Sequence, residues 1–472
     1  MKPIKSIAPL LLGMNLFANP AGAESAVRPP NFVVIVCDDM GWGDLGCYGH
    51  SEIKTPNLDR LAEQGTRLTH FYVNSSVCSP TRTGIMTGRF PSELAVHGHF
   101  ASIEHNIARG MPNFLDAELP MITRLLKSGG YATGHFGKWH LGGPQDPMAP
   151  PPEAYGIDVS ATVLSNGATY DETGDKRAIS SERIMKRTLD FIEANREKPF
   201  FINCWIIDPH AILAPSPEQM SEYEHLAPIG PAKDRFTSTM QTYYSVITDV
   251  DKQVGKLMDH LDELGLADDT IVVFTSDNGP ADIWVSTTSH SGAGLTGPFR
   301  GCKTSLYEGG IRMPFIVRWP GKVAANVVDN TTVMSAADFL PSFCKLAGVE
   351  LSNDLTLNGE DLSAVFQGQP VERIKPLMWE YRYEMRGRHI QHSPMLAMRE
   401  NQWKILLNPD RSRVELYNLS DDPSEVDNRA ADHPVVAARM SKMLLDWYST
   451  LPNRDKVPAD AGTFEYPWPV GK

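Results

Sequence analysis

The chain has 472 residues, of which 42% are hydrophobic and 21% are charged. This length can bury a core for one large domain with a smaller one beside it. The formal net charge of −13 at pH 7 argues against a nucleic-acid binder and requires any anion site to be locally positive. Six cysteines stand at irregular spacing, which fits neither a disulfide framework nor a zinc site.

The first 23 residues have the pattern of a cleavable signal peptide. Lys2 and Lys5 precede a short apolar stretch at 7–18, and the Ala-Gly-Ala sequence at 21–23 fits a cleavage site. No later run reaches the roughly 18 apolar residues that a membrane span needs. We therefore expect a secreted or periplasmic protein without a membrane span.

Strand and helix patterns then alternate as far as residue 350. The apolar run at 31–37 predicts a strand that is buried on both faces, and Pro56 and Gly65 bound a short amphipathic helix. Further helices are predicted at 119–127, 180–196 and 239–264, and further strands at 131–136, 200–207, 270–275 and 313–317. The alternation predicts an α/β fold in which a doubly wound mixed sheet is flanked by helices.

The pattern changes after about residue 350. Short antiparallel strands are predicted at 395–399 and 403–407, and a last helix at 434–448. We therefore expect residues 24–350 to form the main domain and residues 351–472 a smaller α+β subdomain.

Two of the predicted strands end in oxygen-bearing side chains. Asp38 and Asp39 follow the first strand, and Asp277 and Asn278 follow the strand at 270–275. Ligands of open α/β sheets bind at the carboxyl ends of strands, so these four side chains should converge. Three carboxylates and one amide oxygen are hard donors that suit Ca²⁺ or Mg²⁺. Either pair alone could instead cap a turn or a helix.

Between these pairs lies the most informative stretch of the chain, Cys-Ser-Pro-Thr-Arg-Thr-Gly-Ile-Met-Thr-Gly at 78–88. Cys78, Pro80 and Arg82 form a Cys-x-Pro-x-Arg pattern. A helix is predicted to begin near residues 81–83, and its free N–H groups would attract an anion. A lone cysteine is more often a buried structural thiol, and it is the context that favours a functional one.

Four more side chains could balance an anion in this acidic chain, although either lysine could instead lie in solvent: Lys138, His140, His210 and Lys303. Histidine also suits proton transfer, because its pKa lies near neutrality. A polar loop after the motif could line a pocket or lie in solvent, and its members are His97, His99, Glu104, His105 and Arg109.

Taken together, the segments at 38–39, 78–88, 137–140 and 276–279 resemble the type I sulfatases of the alkaline phosphatase superfamily. The segments at 403–404 and 415–419 also resemble the sulfatase C-terminal subdomain, so the resemblance covers most of the chain. It implies an alkaline phosphatase-like fold and hydrolysis of sulfate monoesters, with a sulfated carbohydrate as the expected substrate. Thr81 and Ile85 depart mildly from the commoner serine and leucine, and Pro215 is displaced from its usual place after His210.

The resemblance also implies a modified nucleophile. A formylglycine-generating enzyme or a radical maturase would oxidise Cys78 to formylglycine, whose hydrate would attack sulfur with assistance from Arg82. One hydroxyl of the hydrate can attack and the other can expel sulfate, a second step that serine could not perform.

The remaining roles are likewise implied by the resemblance. The Ca²⁺ ligands would be Asp38, Asp39, Asp277, Asn278 and the formylglycine at position 78. The sulfate group would be bound by Lys138, His210 and Lys303. The resemblance implies that His210, with Lys303 nearby, protonates the leaving alcohol and that His140 is the base, although the sequence alone does not say which histidine has which role.

Three other functions stay open from the sequence. The same formylglycine could serve a phosphonate monoester hydrolase or a phosphodiesterase, since sulfate and phosphate groups share a tetrahedral shape. A noncatalytic sulfated-glycan-binding protein would keep Cys78 as a thiol. A two-zinc phosphatase would need a second cluster of Asp and His ligands, and no such cluster is evident.

Overall fold

The computed structural model describes residues 28–142, 146–163, 177–227, 239–282, 289–383, 389–457 and 462. The predicted signal peptide at 1–23 lies outside the described residues. Among the helices that are described, none is both long and apolar enough to cross a membrane.

Nine strands of the described chain form one mixed sheet, in the order β4-β3-β5-β1-β6-β7-β2-β8, with β9 paired to β2. The strands from β4 to β6 in this order run parallel, whereas β7 is antiparallel to both of its neighbours. The bounds are β1 Asn31–Cys37, β2 Thr66–Tyr72, β3 Ala132–Lys138, β4 Val159–Val163, β5 Phe200–Trp205, β6 Thr270–Ser276, β7 Arg312–Arg318, β8 Val327–Asp329 and β9 Met334–Ser335. The predicted mixed sheet is confirmed.

Helices cover both faces of this sheet. Their bounds are α1 Pro56–Glu63, α2 Cys78–Thr87, α3 Ile103–Ala108, α4 Ile122–Ser128, α5 Ser180–Asn195, α6 Pro217–Ser221, α7 Thr239–Glu263, α8 Glu308–Ile311 and α9 Phe339–Leu346. Successive side chains of a strand point to opposite faces, so β1 contributes Phe32, Val34 and Val36 to one apolar cluster and Val33 and Ile35 to the other. The first cluster includes residues of α2, α4 and α9, and the second includes residues of α1, α5 and α7.

The last part of the chain forms a second, antiparallel sheet in the order β10-β11-β12-β13. These strands are β10 Leu377–Glu380, β11 Leu396–Glu400, β12 Trp403–Leu407 and β13 Glu415–Asn418, and α10 is Pro434–Thr450. Met440 and Leu444 of α10 pack against Leu396 and Ile405 in a separate apolar cluster. The small antiparallel sheet and the terminal helix are thus confirmed, while the boundary at residue 350 stays a prediction.

Several predicted bounds were wrong. The helix expected to begin near residues 81–83 begins at Cys78, because a proline at the third helical position sacrifices no intrahelical hydrogen bond. The helix predicted at 119–127 begins at Ile122, β3 runs on to Lys138, and β5 ends at Trp205 instead of 207. Strand β2 was not predicted, because polar residues interrupt its apolar pattern.

Candidate active site

The two oxygen-bearing pairs lie side by side at the ends of neighbouring strands. β1 and β6 are parallel, and their last residues, Cys37 and Ser276, are paired in register. The residues that follow therefore leave the sheet at the same level. Asp38, Asp39, Asp277 and Asn278 are all buried there, so the predicted convergence is observed.

This group of side chains has spare oxygen atoms for a cation. Ligand atoms of Asp38, Cys78 and Asp277 lie within 4.8 Å of one another, as do those of Asp38, Asp39 and His210. Asp38 Oδ1 and Asn278 Oδ1 are buried without a hydrogen-bond partner in the described part of the chain. Leaving such atoms unpaired is costly, and hard oxygen donors suit Ca²⁺ or Mg²⁺. The residues present therefore fit the expected metal.

The electrostatics of the carboxylates indicate the same need for a cation. Burial opposes ionisation of Asp38, but Lys138 and His210 hold its pKa well below the usual range. Burial and the neighbouring Asp38 carboxylate raise the pKa of Asp277, although Arg82 opposes the rise. Two buried carboxylates this close disfavour each other's charge, and a divalent cation between them would relieve that repulsion.

Cys78 is the first residue of α2 and is 3% exposed. Arg82, one helical turn later, lies on the same side of the helix and is completely buried. Its Nε and Nη2 donate to Asp277 Oδ2 at 2.9 and 2.7 Å, and its Nη1 donates to the Lys138 carbonyl at 2.8 Å. All three guanidinium nitrogens thus hold neighbouring residues in place, and Arg82 orients the Asp277 carboxylate.

Two lysines neutralise the carboxylates from β1. Lys138 Nζ contacts Asp38 Oδ2, and Lys303 Nζ lies 2.6 and 2.7 Å from the two oxygens of Asp39. Burial would lower the pKa of Lys303, but Asp39 raises it above the usual value. Lys303 therefore stays protonated and is available to a substrate anion. Asn278 Nδ2 completes the contact by donating to Asp39 Oδ1 at 2.7 Å.

His140 is placed to accept a proton. Burial and the nearby Lys138 hold its pKa well below the usual value, so the ring is neutral at neutral pH. Its Nε2 lies 3.1 Å from the Phe100 carbonyl, and its Nδ1 is buried without a partner among the described residues. A proton on Nε2 would leave Nδ1 as a free acceptor. His140 and Asp39 have φ values of 54° and 68°, and such backbone strain is frequent at functional sites.

His210 presents its other ring nitrogen to the carboxylates. Its Nδ1 lies 2.8 Å from the Ala211 carbonyl, whereas Nε2 lies 3.9 Å from Asp39 Oδ2. Burial lowers the pKa of His210 to about 4, and Asp38 opposes that shift. The displaced Pro215 therefore does not move His210 away from the site.

Sequence reasoning missed the side chain that holds the His210 segment. Arg177 donates to the His210 carbonyl and, at 2.8 Å, to the Ile212 carbonyl, and it pairs with Asp208 at 2.9 Å. Asp208 Oδ2 also accepts hydrogen bonds from Ser180 and Ser181. These residues are distant in sequence and follow no recognisable spacing, so no sequence signal pointed to them.

The residues of the polar loop after the motif lie in different environments. His97 is not in solvent, since it is fully buried with Nδ1 2.7 Å from Glu380 Oε2. The ring of His99 lies 6.4 Å from that of His140, so His99 belongs to the site. Glu104 and His105 are exposed on α3. Arg109 is half-buried and lies 4.5 Å over the Tyr383 ring.

Comparisons with known proteins agree with this geometry. The chain matches the Sulfatase family over residues 30–349, and the family described as "N-sulphoglucosamine sulphohydrolase, C-terminal" over residues 301–448. It is 33% identical to arylsulfatase A of Homo sapiens over 393 residues, which are 78% of this chain and 74% of that protein. It is 28% identical to the N-acetylgalactosamine-6-O-sulfatase of Bacteroides thetaiotaomicron, over 94% of this chain and 99% of that protein.

A solved structure shares the whole architecture. The crystal structure of Ps i-CgsB superposes with a TM-score of 0.74 at 26% identity, covering 93% of this chain and 100% of that one. The predicted fold is thereby confirmed, and so is the resemblance drawn from the motifs. The chain belongs to the sulfatase family and is an enzyme that hydrolyses sulfate esters.

Proposed function

We propose that this enzyme removes sulfate from a sulfated carbohydrate, with a formylglycine derived from Cys78 as the nucleophile and Ca²⁺ as the metal. The observation that carries the proposal is a pair of buried oxygens, Asp38 Oδ1 and Asn278 Oδ1, that have no hydrogen-bond partner among the described residues. Asp38 lies beside Cys78, the first residue of α2. The carbohydrate substrate is supported by the relative named N-acetylgalactosamine-6-O-sulfatase, which the chain matches over nearly its full length.

Asp38, Asp39, Asp277, Asn278 and residue 78 would hold the metal ion. When bound, Ca²⁺ and the hydrated aldehyde together would supply a hydroxyl that is acidic enough to attack sulfur at neutral pH. Arg82 keeps Asp277 oriented through two hydrogen bonds. Mg²⁺ is the second choice, because it demands a stricter geometry and gives up its waters reluctantly.

The sulfate group would lie between the two lysines. Lys138 and Lys303 approach the metal ligands from different segments, and His210 stands 3.9 Å from Asp39 beside them. The two ammonium groups offset the charges of Asp38 and Asp39, so the bound metal ion would supply the positive charge that attracts sulfate to a chain whose net charge is −13. The ammonium groups would also stabilise charge that develops on the sulfate oxygens in the transition state.

We assign the base and the acid from the environment of each group. His140 is neutral, and its Nδ1 has no partner in the described structure. It would therefore accept the proton from the hydroxyl that expels sulfate. Lys303 is held protonated by Asp39. Lys303 would deliver a proton to the leaving alcohol, which is a poor leaving group without one, and the family resemblance implies that the neighbouring His210 takes part in this transfer.

The chain would be exported and modified before it is active. The predicted signal peptide at 1–23 would direct the chain to the periplasm or the exterior. A formylglycine-generating enzyme or a radical maturase would have to modify Cys78. Because Cys78 is 3% exposed in the folded chain, we expect the modification to precede folding.

Two measurements on the purified protein test the proposal. The mass of the peptide that contains residue 78 should show the loss of sulfur and two hydrogens and the gain of one oxygen. Turnover should be fastest on a panel of position-defined sulfated sugars, compared with a phosphonate monoester and a phosphodiester of the same alcohol. Unmodified Cys78 with binding but no turnover would favour a sulfated-glycan-binding protein. Faster turnover of the phosphorus esters would favour the phosphonate hydrolase.

A further inference from the structure

A large cavity lies between the edge of the main sheet and the hairpin of β11 and β12. Its volume is about 920 Å³, and none of the metal-binding or sulfate-binding candidates lines it. Its walls include His70, Arg312, Thr331, Lys375, Arg399 and Gln402. The cavity is therefore separate from the strand-end site.

Two buried arginines line this cavity. Arg312 and Arg399 are each 5% exposed. Arg312 donates through Nε to the Thr69 carbonyl at 2.6 Å and through Nη1 to Glu308 at 3.3 Å. Arg399 donates through Nε to the Asn401 carbonyl at 3.1 Å and through Nη1 to the Tyr72 hydroxyl. Within the described residues no hydrogen bond involves the Nη2 of either arginine, and both side chains line the cavity.

Cationic side chains outnumber anionic ones on the cavity wall, where Arg312, Arg373, Lys375 and Arg399 stand beside Glu372 and Glu400. Glu308 is shared between Arg312 and the buried Lys404, which lies 2.9 Å away. Glu400 at the rim pairs with Arg439. Burial lowers the pKa of His70 to about 3, Arg312 and Arg399 add to that shift, and Glu308 opposes it. The excess of cationic side chains stands out in a chain of net charge −13.

We propose that this cavity is a second oxyanion site, in which Arg312 and Arg399 bind a sulfate or carboxylate group. Guanidinium groups match the oxygens of such anions geometrically and release water more readily than ammonium groups. Thr331 and Gln402 at the wall can hydrogen-bond to hydroxyl groups of an attached sugar. The anion could be free in solution or carried by a glycan, and the site would exist whether or not the proposed function is correct.

Binding measurements in the catalytically disabled Cys78→Ala chain test the site. Equilibrium dialysis with labelled inorganic sulfate should give two sites per chain. Calorimetry with a sulfated galactan hexasaccharide and its desulfated form then distinguishes a glycan-borne group from a free anion. Binding of inorganic sulfate alone assigns the cavity to a free anion, and tighter binding of the sulfated hexasaccharide assigns it to a glycan.

A matched pair of exposed variants identifies which site is which. Gln402→Glu places a carboxylate at the cavity wall and should weaken binding there about tenfold or more, through like-charge repulsion. Asn353→Glu adds the same charge at an exposed position that does not line the cavity, and it should leave both sites intact. A single site in the parent chain, unchanged by Gln402→Glu, would overturn the proposal. Because these measurements detect binding in the inactive Cys78→Ala chain, their outcome does not depend on whether the parent protein is a carbohydrate sulfatase.

Discussion

The protein buries two clusters of charge that are built differently. The strand-end cluster contains Asp38, Asp39, Asp277, Asn278, Lys138, Lys303 and Arg82, and the interface cluster contains Glu308, Lys404, Glu425, Arg312 and Tyr72. In the interface cluster, Glu308 accepts from Lys404 at 2.9 Å, Tyr72 at 2.6 Å and Arg312 at 3.3 Å. In the strand-end cluster, Asp38 Oδ1 and Asn278 Oδ1 have no partner within the described residues.

The difference separates a structural role from a chemical one. A buried carboxylate with every oxygen paired fixes two parts of a fold together, and Glu308 joins the Lys303 segment to β12 of the C-terminal sheet in this way. Glu425 Oε1 also lacks a regular hydrogen bond, but it lies 2.9 Å from Lys404 Nζ, whereas Asp38 Oδ1 and Asn278 Oδ1 lie at the ends of neighbouring strands, where a ligand is expected. The five predictions below test this distinction, from the largest expected effect to the smallest.

Cys78→Ser should have the largest effect of the five variants, and that effect should be on activity and not on stability. Serine can attack sulfur once but lacks the second hydroxyl that expels sulfate, so steady-state turnover should fall about 10³-fold or more. Initial rates with a sulfated sugar measure the loss, and intact mass should reveal sulfate retained on residue 78. The half-buried Cys47→Ser is the matched control and should keep its activity. Turnover of Cys78→Ser within tenfold of the parent would refute the nucleophile.

Lys404→Met should act on stability. It leaves Glu308 and Glu425 buried without their ammonium partner, which costs about 3–5 kcal/mol of unfolding free energy. Denaturant unfolding measures this loss, and the remaining folded protein should keep its kcat. The exposed Lys256→Met breaks a 3.7 Å surface pair with Glu182 and should change stability by less than about 1 kcal/mol. Equal effects of the two variants would contradict the interface cluster's structural role.

Asp38→Asn should weaken metal binding and remove the stabilisation of the fold by Ca²⁺. The amide keeps the shape of the carboxylate but weakens its bond to a divalent cation, so we expect about a 100-fold loss of kcat/KM. In the parent, added Ca²⁺ should raise Tm, because a ligand that binds only the folded state stabilises it. The Tm of Asp38→Asn should no longer respond. A parent protein whose Tm and activity ignore both Ca²⁺ and chelators would exclude the proposed metal.

The sequence was sufficient to predict the parts of this site that follow local rules. Parallel strands β1 and β6 are largely apolar runs, and the residues after them had to lie at one edge of the sheet, so the convergence of Asp38, Asp39, Asp277 and Asn278 could be predicted. The partners of Arg82 could not, because Asp277 is 195 residues away and only the folded sheet brings the two together. Strand β2 was missed for a related reason, since its residues Arg67 and His70 are only half-buried at the side of the sheet.

Arg177→Met tests a positioning residue that supports the strand-end cluster. Arg177 holds the His210 and Ile212 carbonyls and pairs with Asp208, so its loss should misplace the His210 ring. Turnover of a sulfated sugar, whose alcohol must be protonated on leaving, should fall about tenfold. Turnover of 4-nitrophenyl sulfate, whose phenolate leaves unaided, should fall much less, and Arg177→Lys should recover part of the loss. Equal losses on both substrates would indicate a merely structural role.

His135→Phe should have the smallest effect. It tests a buried histidine outside both clusters that stays neutral in the folded chain. His135 is fully buried, and its ring packs edge-on against Trp139 and Trp205. Burial and Arg82 lower its pKa to about 3. The unfolded chain binds a proton below about pH 6.5 that the folded chain rejects, so stability present at higher pH is lost as the pH falls. Between pH 7 and pH 6 this histidine should account for about 0.7 kcal/mol of the decrease, and His135→Phe should remove that part of the slope. Parallel stability profiles for the two proteins would show that His135 takes up its proton without unfolding.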